Sequence, residues 1–315
     1  MFPNLNLFFN FKLNCMIITI DIFSGRENPQ FDLDEKDAKK FAERFAGKTA
    51  LSAENVESPL GFRGFIVDAA ATDVKLPDNI PSQFHVGGVA SSNFGAKAKS
   101  LKAPMLSSDE NDDAVKWLLS KAKNAVDAEI FNHIKDTLSQ RKKSLNKPVL
   151  EEAIAEDKQW KKIELASCII ANTPYNPGFW NNDPNVMDRN NCYNYAMNYK
   201  SNTFAQPGHK SGHQYSPPPT CANVKTSAVW DGLQTACSGS VKNVALVIWP
   251  GVDYHWYRRH SEGFWGHKPG HTAARNYDSS NIVINGTTRT PANCARGSYT
   301  IFCGYYYSPT GMTVN

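Results

Sequence analysis

The chain has 315 residues, a net charge of +4 at pH 7, and a composition that is 41% hydrophobic and 20% charged. That length allows one large domain or two ordinary ones, each with a sizeable core. The positive charge is small and scattered, which argues against a nucleic-acid-binding surface. No apolar run approaches the roughly 20 residues that a membrane-spanning helix needs. We therefore expect a globular protein with no nucleic-acid partner and no membrane span.

The first fifteen residues lack the basic start, the clean apolar core and the cleavage site of a signal peptide. Met16 opens a strand-like run, so we expect residues 1–15 to be a disordered or artefactual extension. The cellular location stays open, because a specialised export route would leave no such signal.

The segment 16–145 is expected to be a small α/β domain, because alternating and helical hydrophobic patterns follow one another along it. Asp34 is a good N-cap for its first helix, and Gly47 suits the end of that helix. The polar residues of the segment form no recognisable constellation, so its role stays unassigned. The expected elements are a strand, a helix, a strand and a long helix, at residues 16–23, 34–47, 61–67 and 108–145.

A helical stretch over 149–170 ends at the prolines and glycine of "NTPYNPG" (172–178), which stop regular structure. We therefore interpret 146–184 as a helical linker and 185–315 as a second domain. Short strand-like runs behind one helix, separated by Gly and Pro turns, indicate an α+β fold for that domain. These runs are residues 243–249, 253–259, 263–268 and 281–284.

Cys192, in "RNNCYNYAMN", is the first candidate functional residue of the second domain. Asp188, Asn190 and Asn191 precede it and are all favourable helix N-caps. A thiol in the first turn of a helix lies near unpaired backbone N–H groups, which favour thiolate and can stabilise an oxyanion. We predict a partly exposed Cys192 in the first helical turn, acting as a nucleophile.

Two histidines downstream could complete a catalytic triad with this cysteine. His255 lies on the strand "DYHWYRR", and His267 lies on "FWGHKPG" twelve residues later, a spacing that a hairpin can close. One imidazole could act as the base and the second could fix its tautomer. His271 and Asp278 are alternatives for the orienting role.

The order of a helix-borne Cys, a hydrophobic strand "ALVIW", a strand led by "HWYRR" and a return strand "FWGHKPG" resembles the NlpC/P60 branch of the papain-like superfamily. The resemblance covers residues 185–285. It implies a papain-like α+β domain with an antiparallel sheet, and a cysteine peptidase or amidase with a peptide or amide substrate and no cofactor. Carried over to this sequence, it implies Cys192 as nucleophile, His255 as base and His267 as orienting residue.

Two other interpretations remain open at this point. The domain could be a non-catalytic binding or structural module that recognises a carbohydrate or a protein through exposed aromatic side chains. A metal site is disfavoured, because no CxxC motif accompanies the scattered histidines 209, 213, 260 and 271. In an oxidising compartment, the loop lengths would suit disulfides Cys221–Cys237 and Cys294–Cys303.

Overall fold

The structure is a computed structural model, and it describes residues 15–45, 59–78, 80–88, 113–144, 169–170 and 172–315. Residues 1–14 of the extension expected at 1–15 and most of the helix expected over 149–170 lie outside these residues. The chain forms two compact units. The described part of the first unit is 15–20, 29–45, 64–78, 80–88 and 113–142, and that of the second is 21–28, 59–63, 143–144, 169–170 and 172–315. Two segments of the expected N-terminal domain, 21–28 and 59–63, therefore belong to the second unit.

The first unit contains a four-stranded sheet with the order β2-β1-β3-β4. Strand β1 pairs antiparallel with β2, and β3 pairs antiparallel with β4. The alternation of isoleucines in the first strand predicts that they lie on one buried face. Ile18 and Ile20 are both fully buried, as this pattern predicts. The strands are β1 Met16–Asp21, β2 Gln30–Leu33, β3 Gly64–Asp68 and β4 Gln83–Val86.

Helices complete the first unit, and the first of them begins where the sequence predicts. The side chain of Asp34 accepts a hydrogen bond from the amide of Asp37 and caps the helix. The single long helix expected over 108–145 is two helices, because the side chain of Asp127 accepts from the Ile130 amide and starts a new one. The helices are α1 Glu35–Ala42, followed by a 3-10 turn Glu43–Phe45, α2 Asp113–Ala122 and α3 Ala128–Ser144.

The second unit is built on a four-stranded antiparallel sheet with the order β7-β6-β5-β8. The three strands expected over 243–268 are confirmed. The strand expected at 281–284 is wrong, because this run makes only an isolated bridge between Tyr277 and Val283. The strands are β5 Val244–Trp249, β6 Asp253–Arg259, β7 Trp265–His267 and β8 Ile301–Tyr306, of which β8 was not predicted.

Four short helices accompany this sheet, and two of them cover one of its faces. Cys192 and Ala196 of one helix and Val224 and Ala228 of another belong to one buried cluster with alternate residues of β5 and β6. Helix and antiparallel sheet share that core, which confirms the α+β class. The helices are α4 Gly178–Asn181, α5 Pro184–Asp188, α6 Cys192–Met197 and α7 Cys221–Trp230.

Within the described residues, no helix combines the length and apolar character that crossing a membrane requires.

Candidate functional site

Cys192 lies in the first turn of α6, as predicted. The side chain of Asn191 caps this helix by accepting hydrogen bonds from the amides of Tyr193 and Asn194. In return, the Asn194 side chain accepts from the Asn191 amide at 3.1 Å, which completes a reciprocal capping box. The thiol is 0% exposed, however, so the prediction of a partly accessible cysteine is wrong.

The Cys192 sulfur packs against the backbone of β6 instead of facing a groove. Its Sγ lies 4.0 Å from the carbonyl oxygen of Tyr254. Burial raises the pKa of the Cys192 thiol well above its ordinary value, and the nearby Asp253 carboxyl adds to this effect. The neutral thiol is therefore favoured, whereas the nucleophile hypothesis needs a thiolate.

The loop Ser24–Arg26, which we call the SGR loop, packs against the cap of this helix. The carbonyl oxygen of Gly25 accepts from three side chains: Asn191 Nδ2 at 2.8 Å, Gln206 Nε2 at 2.8 Å and Tyr254 Oη at 2.9 Å. Asn191 therefore joins the SGR loop to the start of α6. The loop thus lies at the end of α6 where a substrate of a Cys192 nucleophile would have to enter.

The carboxylate of Asp253, at the start of β6, also holds the SGR loop in place through hydrogen bonds. It accepts hydrogen bonds from the amides of Ser24 at 2.6 Å, Gly25 at 3.2 Å and Arg26 at 3.2 Å. The Tyr299 hydroxyl donates a further bond at 2.5 Å. Burial raises the pKa of the Asp253 carboxyl, and these donors oppose that rise because they stabilise the charged form.

A buried ion pair holds the chain just before the SGR loop. Arg63 Nη2 lies 2.5 Å from Asp21 Oδ1, and both side chains are completely buried. The same guanidinium donates to the carbonyl oxygen of Phe23 at 2.6 Å. Removing one partner of such a pair leaves a buried charge without compensation, so both residues are structural requirements of the second unit.

His255 and His267 do come together, as the hairpin spacing predicts. Nε2 of His255 and Nδ1 of His267 are 2.8 Å apart, and Nε2 of His267 is 2.9 Å from the Tyr277 carbonyl oxygen. A carbonyl only accepts, and it is closer to Nε2 than the Arg275 Nε donor at 3.5 Å, so His267 carries its proton on Nε2 and accepts from His255 on Nδ1. Burial lowers the pKa of His255 well below its ordinary value and that of His267 to about 3, so both rings are neutral.

The pair lies on the face of the sheet opposite Cys192. Leu246 pairs with Trp256, and Val247 pairs with His255. Leu246 and Trp256 pack in one cluster with Cys192, so strand alternation places His255 on the other face. There its ring contacts the rings of Tyr257, His267 and Tyr299. The predicted approach of His255 to Cys192 is therefore wrong, although the two histidines are adjacent.

The alternative orienting residues serve local structure. His271 Nδ1 lies 3.0 Å from Asp188 Oδ1, and its ring stacks on Phe204 with centroids 4.3 Å apart. Asp278 accepts from Arg289 Nε at 2.7 Å and from the Ala295 amide at 2.8 Å. Neither side chain contacts the His255 ring in the described structure.

Lys268, which follows His267, is a buried cation that the sequence reading missed. Its Nζ donates to the main-chain oxygens of Met187, Asn190 and Gly270, the last at 2.7 Å. Three acceptors match the three protons of an ammonium group. Burial lowers the pKa of Lys268 to about 7, while Asp188 opposes that shift. The residue ties the connection between α5 and α6 to the chain that follows β7.

Both predicted disulfides are wrong. Cys221, at the start of α7, is bonded to Cys303 in β8, with Cα atoms 5.3 Å apart. Cys237 is also disulfide-bonded, whereas Cys294 is a buried free thiol. The physical reason is that α7 packs on β5 and β8 pairs with β5, which brings distant cysteines together. Cys294 lies elsewhere, with Sγ 3.7 Å from the Tyr257 hydroxyl.

Across the described ranges, no group of three or more His, Cys, Asp or Glu side chains is arranged to hold a metal ion.

The fold and the site define a disulfide-bonded α+β protein whose buried polar side chains are largely engaged in internal hydrogen bonds. No family model matches the chain, and no solved structure gives a significant match. Insoluble matrix shell protein 1 of Ruditapes philippinarum is 42% identical over 139 residues, which cover 43% of this chain and 90% of that protein. The chain therefore belongs to the family of that shell protein.

Sequence reasoning missed Asp253, Lys268 and Arg63, although each one organises the second unit. Asp253 is the first residue of the strand "DYHWYRR", in which the sequence indicated only His255 as a candidate functional residue. A charged residue at the start of a strand rich in aromatic residues is the available signal, because a charge that is buried there needs partners. Nothing local distinguishes Lys268 or Arg63 from a surface cation.

Proposed function

We propose that the second unit is a non-catalytic module of an insoluble matrix, which recognises a carbohydrate or a protein through exposed aromatic side chains. The observation that carries the proposal is the placement of Cys192. Its thiol is fully buried against the Tyr254 carbonyl oxygen and lies on the sheet face opposite His255. Nucleophilic catalysis needs a base within hydrogen-bond reach of the nucleophile. This arrangement favours a structural role for both residues.

The family relationship supports the same proposal. The relative is named as an insoluble matrix protein of shell, and the aligned region covers 90% of its length. A component of such a matrix needs a stable scaffold and a surface that holds its neighbours, and it needs no reactive group. We propose that this chain is likewise a structural matrix component.

The cysteine usage supports an oxidising environment for the second unit. The Cys221–Cys303 bond closes a separation of 82 residues, and Cys237 is also in a disulfide. Disulfides form and persist in secreted proteins and are rare in the reducing cytosol. We propose that the protein works outside the cytosol, as an extracellular matrix does.

Exposed aromatic side chains supply the recognition part of the proposal. Phe179 is 46% exposed and Tyr199 is 39% exposed. Large apolar side chains in contact with water are common on binding surfaces, where aromatic residues are enriched. The protein therefore has aromatic side chains at its surface as well as in its core.

The acyl-transfer hypothesis and the papain-like fold stay predictions. Catalysis requires a thiolate in the first turn of a helix with an imidazole beside it. Helix α6 places Cys192 in its first turn, but it supplies neither the thiolate nor the neighbouring imidazole. A catalytic form would need the SGR loop to leave Asn191 and an imidazole to reach the Cys192 face of the sheet. Each of these changes breaks buried hydrogen bonds.

The reactivity of Cys192 tests the proposed function. In the native protein at pH 7.4, iodoacetamide should label Cys192 about a hundredfold or more slower than the half-buried Cys15, because access requires local opening. In 6 M guanidinium chloride the two thiols should react at similar rates. Mass spectrometry of timed samples gives both rates. Labelling of Cys192 as fast as Cys15, or faster at pH 6, would contradict the proposal.

A further inference from the structure

We propose that a cleft beside α4 and α6 binds a neutral sugar ring of a polysaccharide. This inference rests on the proposed function, since it names the ligand class of the matrix module. The cleft has a volume of about 190 Å³, below the 300 Å³ or more of a typical drug-sized pocket, so it suits a single ring. Its lining includes Thr173, Phe179, Trp180, Tyr195, Arg258 and His260.

Aromatic rings form the apolar wall of the cleft. Trp180 packs against Phe179 with ring centroids 5.2 Å apart and against Tyr195 with centroids 5.4 Å apart. Lys200 Nζ lies 3.5 Å from the Phe179 centroid, a cation–π contact that restrains the exposed ring. A sugar ring carries apolar C–H groups on its faces, and the half-exposed Phe179 ring, held by the buried Trp180, is the aromatic surface that they can reach.

His260 supplies a neutral imidazole to the lining of the cleft. The residue is 4% exposed, and its Nδ1 makes no hydrogen bond in the described structure, although the backbone of Thr173 and Pro174 is close. Its Nε2 is 2.8 Å from the Tyr195 hydroxyl. The Tyr195 hydroxyl and the His260 ring therefore form a paired polar group at the cleft, and a ligand hydroxyl that reaches this pair can exchange hydrogen bonds with the Tyr195 oxygen.

The charges around the cleft favour a neutral ligand. Burial lowers the pKa of His260 to about 4, so its imidazole is uncharged at neutral pH. Arg258 donates from Nη1 to the Ala196 carbonyl oxygen at 2.6 Å and from Nε to Thr173 Oγ1 at 3.0 Å. The guanidinium therefore already has protein acceptors. A hydroxyl-rich ring matches the remaining groups better than an anion does.

Titration with two neutral hexasaccharides, cellohexaose and chitohexaose, tests the proposal on the full chain. The Trp180 indole N–H signal in the NMR spectrum should shift on addition of at least one of them. Phe179→Ala should weaken binding about tenfold, which corresponds to about 1.4 kcal/mol. Tyr195→Phe, which removes only a hydroxyl from the pair with His260, should weaken it severalfold without unfolding the protein.

Trp230→Ala is the matched control, because Trp230 is 58% exposed but does not line the cleft. Its affinity should equal that of the unaltered protein, and binding should not change between 0.05 and about 0.5 M salt. If neither sugar binds, the inference is overturned. It is also overturned if the Phe179→Ala protein still binds the sugar and the Trp230→Ala protein does not. A peptide ligand that shifts Trp180 when neither sugar does would also overturn it. Failure here with an unreactive Cys192 leaves the proposed function standing.

Discussion

Gly25 shows how closely the second unit packs at the level of single residues. A Cβ atom added to Gly25 would lie 2.4 Å from the ring of Tyr254, closer than carbon atoms can approach. Three side-chain donors hold the Gly25 carbonyl oxygen. The Asp253 carboxylate accepts a hydrogen bond from the Gly25 amide. The loop cannot move to relieve a new contact without losing these bonds.

The first prediction follows from that crowding. Gly25→Ala should lower the free energy of unfolding by about 1–3 kcal/mol, the usual cost of overpacking. Gly178→Ala is the control, because its added Cβ would meet only the movable side chain of Asn182. Urea denaturation of the three proteins measures the difference. Equal stability of Gly25→Ala and the unaltered protein would contradict the tight packing of the SGR loop.

At the residue scale, the sequence predicted what depends on neighbours along the chain. The Asn191 cap and the adjacency of His255 and His267 depend on a helix start and a short hairpin, which local residues specify. The face on which His255 points depends on which side of the sheet α6 covers. Both Trp256 and His255 could occupy a core, so the local pattern does not decide between them.

Helix α7 and strand β8 are the elements whose connection was least visible in the sequence. They flank β5 in space, and Cys221 of the helix is bonded to Cys303 of the strand. The run "YTIFCGYYYS" that contains β8 is rich in β-branched and aromatic residues, so a strand signal was present and was overlooked. The pairing of cysteines 82 residues apart carries no such local signal.

The second prediction concerns this disulfide. The double variant Cys221→Ala with Cys303→Ala should lose about 4 kcal/mol of unfolding free energy, because the bond closes a loop of 82 residues. Cys294→Ala, which removes a free buried thiol, should cost about 1 kcal/mol. Guanidinium denaturation without reductant compares them. A loss for the double variant no larger than that of Cys294→Ala would contradict the assigned pair.

Buried imidazoles govern how the whole molecule should respond to acid. Burial lowers the pKa of three histidines of the second unit, to about 3 for His267, about 4 for His260 and well below the ordinary value for His255. It also lowers the pKa of His133 in the first unit. In the unfolded chain each should titrate near pH 6.5. Between these pH values the unfolded chain binds protons that these folded histidines do not, so the histidines make the stability fall as the pH falls. The raised pKa of Asp253 acts in the opposite direction.

The loss of stability in acid should be large enough to measure. The three histidines of the second unit should together contribute a fall in the unfolding free energy of about 4 kcal/mol per pH unit between pH 6 and 5. Urea denaturation at pH 7.5, 6 and 5 measures the slope. His213→Gln, which replaces an exposed histidine, should leave the slope unchanged. A stability that stays constant down to pH 5 would contradict the burial of the neutral pair.

The SGR loop also has a consequence for the order of events during synthesis. Ser24 and its partner Asp253 are separated by 229 residues, so the loop leaves the ribosome long before the carboxylate that holds it exists. Domains that fold during translation do so from contacts already made, and a contact this remote must wait. Closing it also costs chain entropy that nearby contacts do not. The second unit should therefore mature only after the strand that carries Asp253 has emerged, with the SGR loop waiting for it.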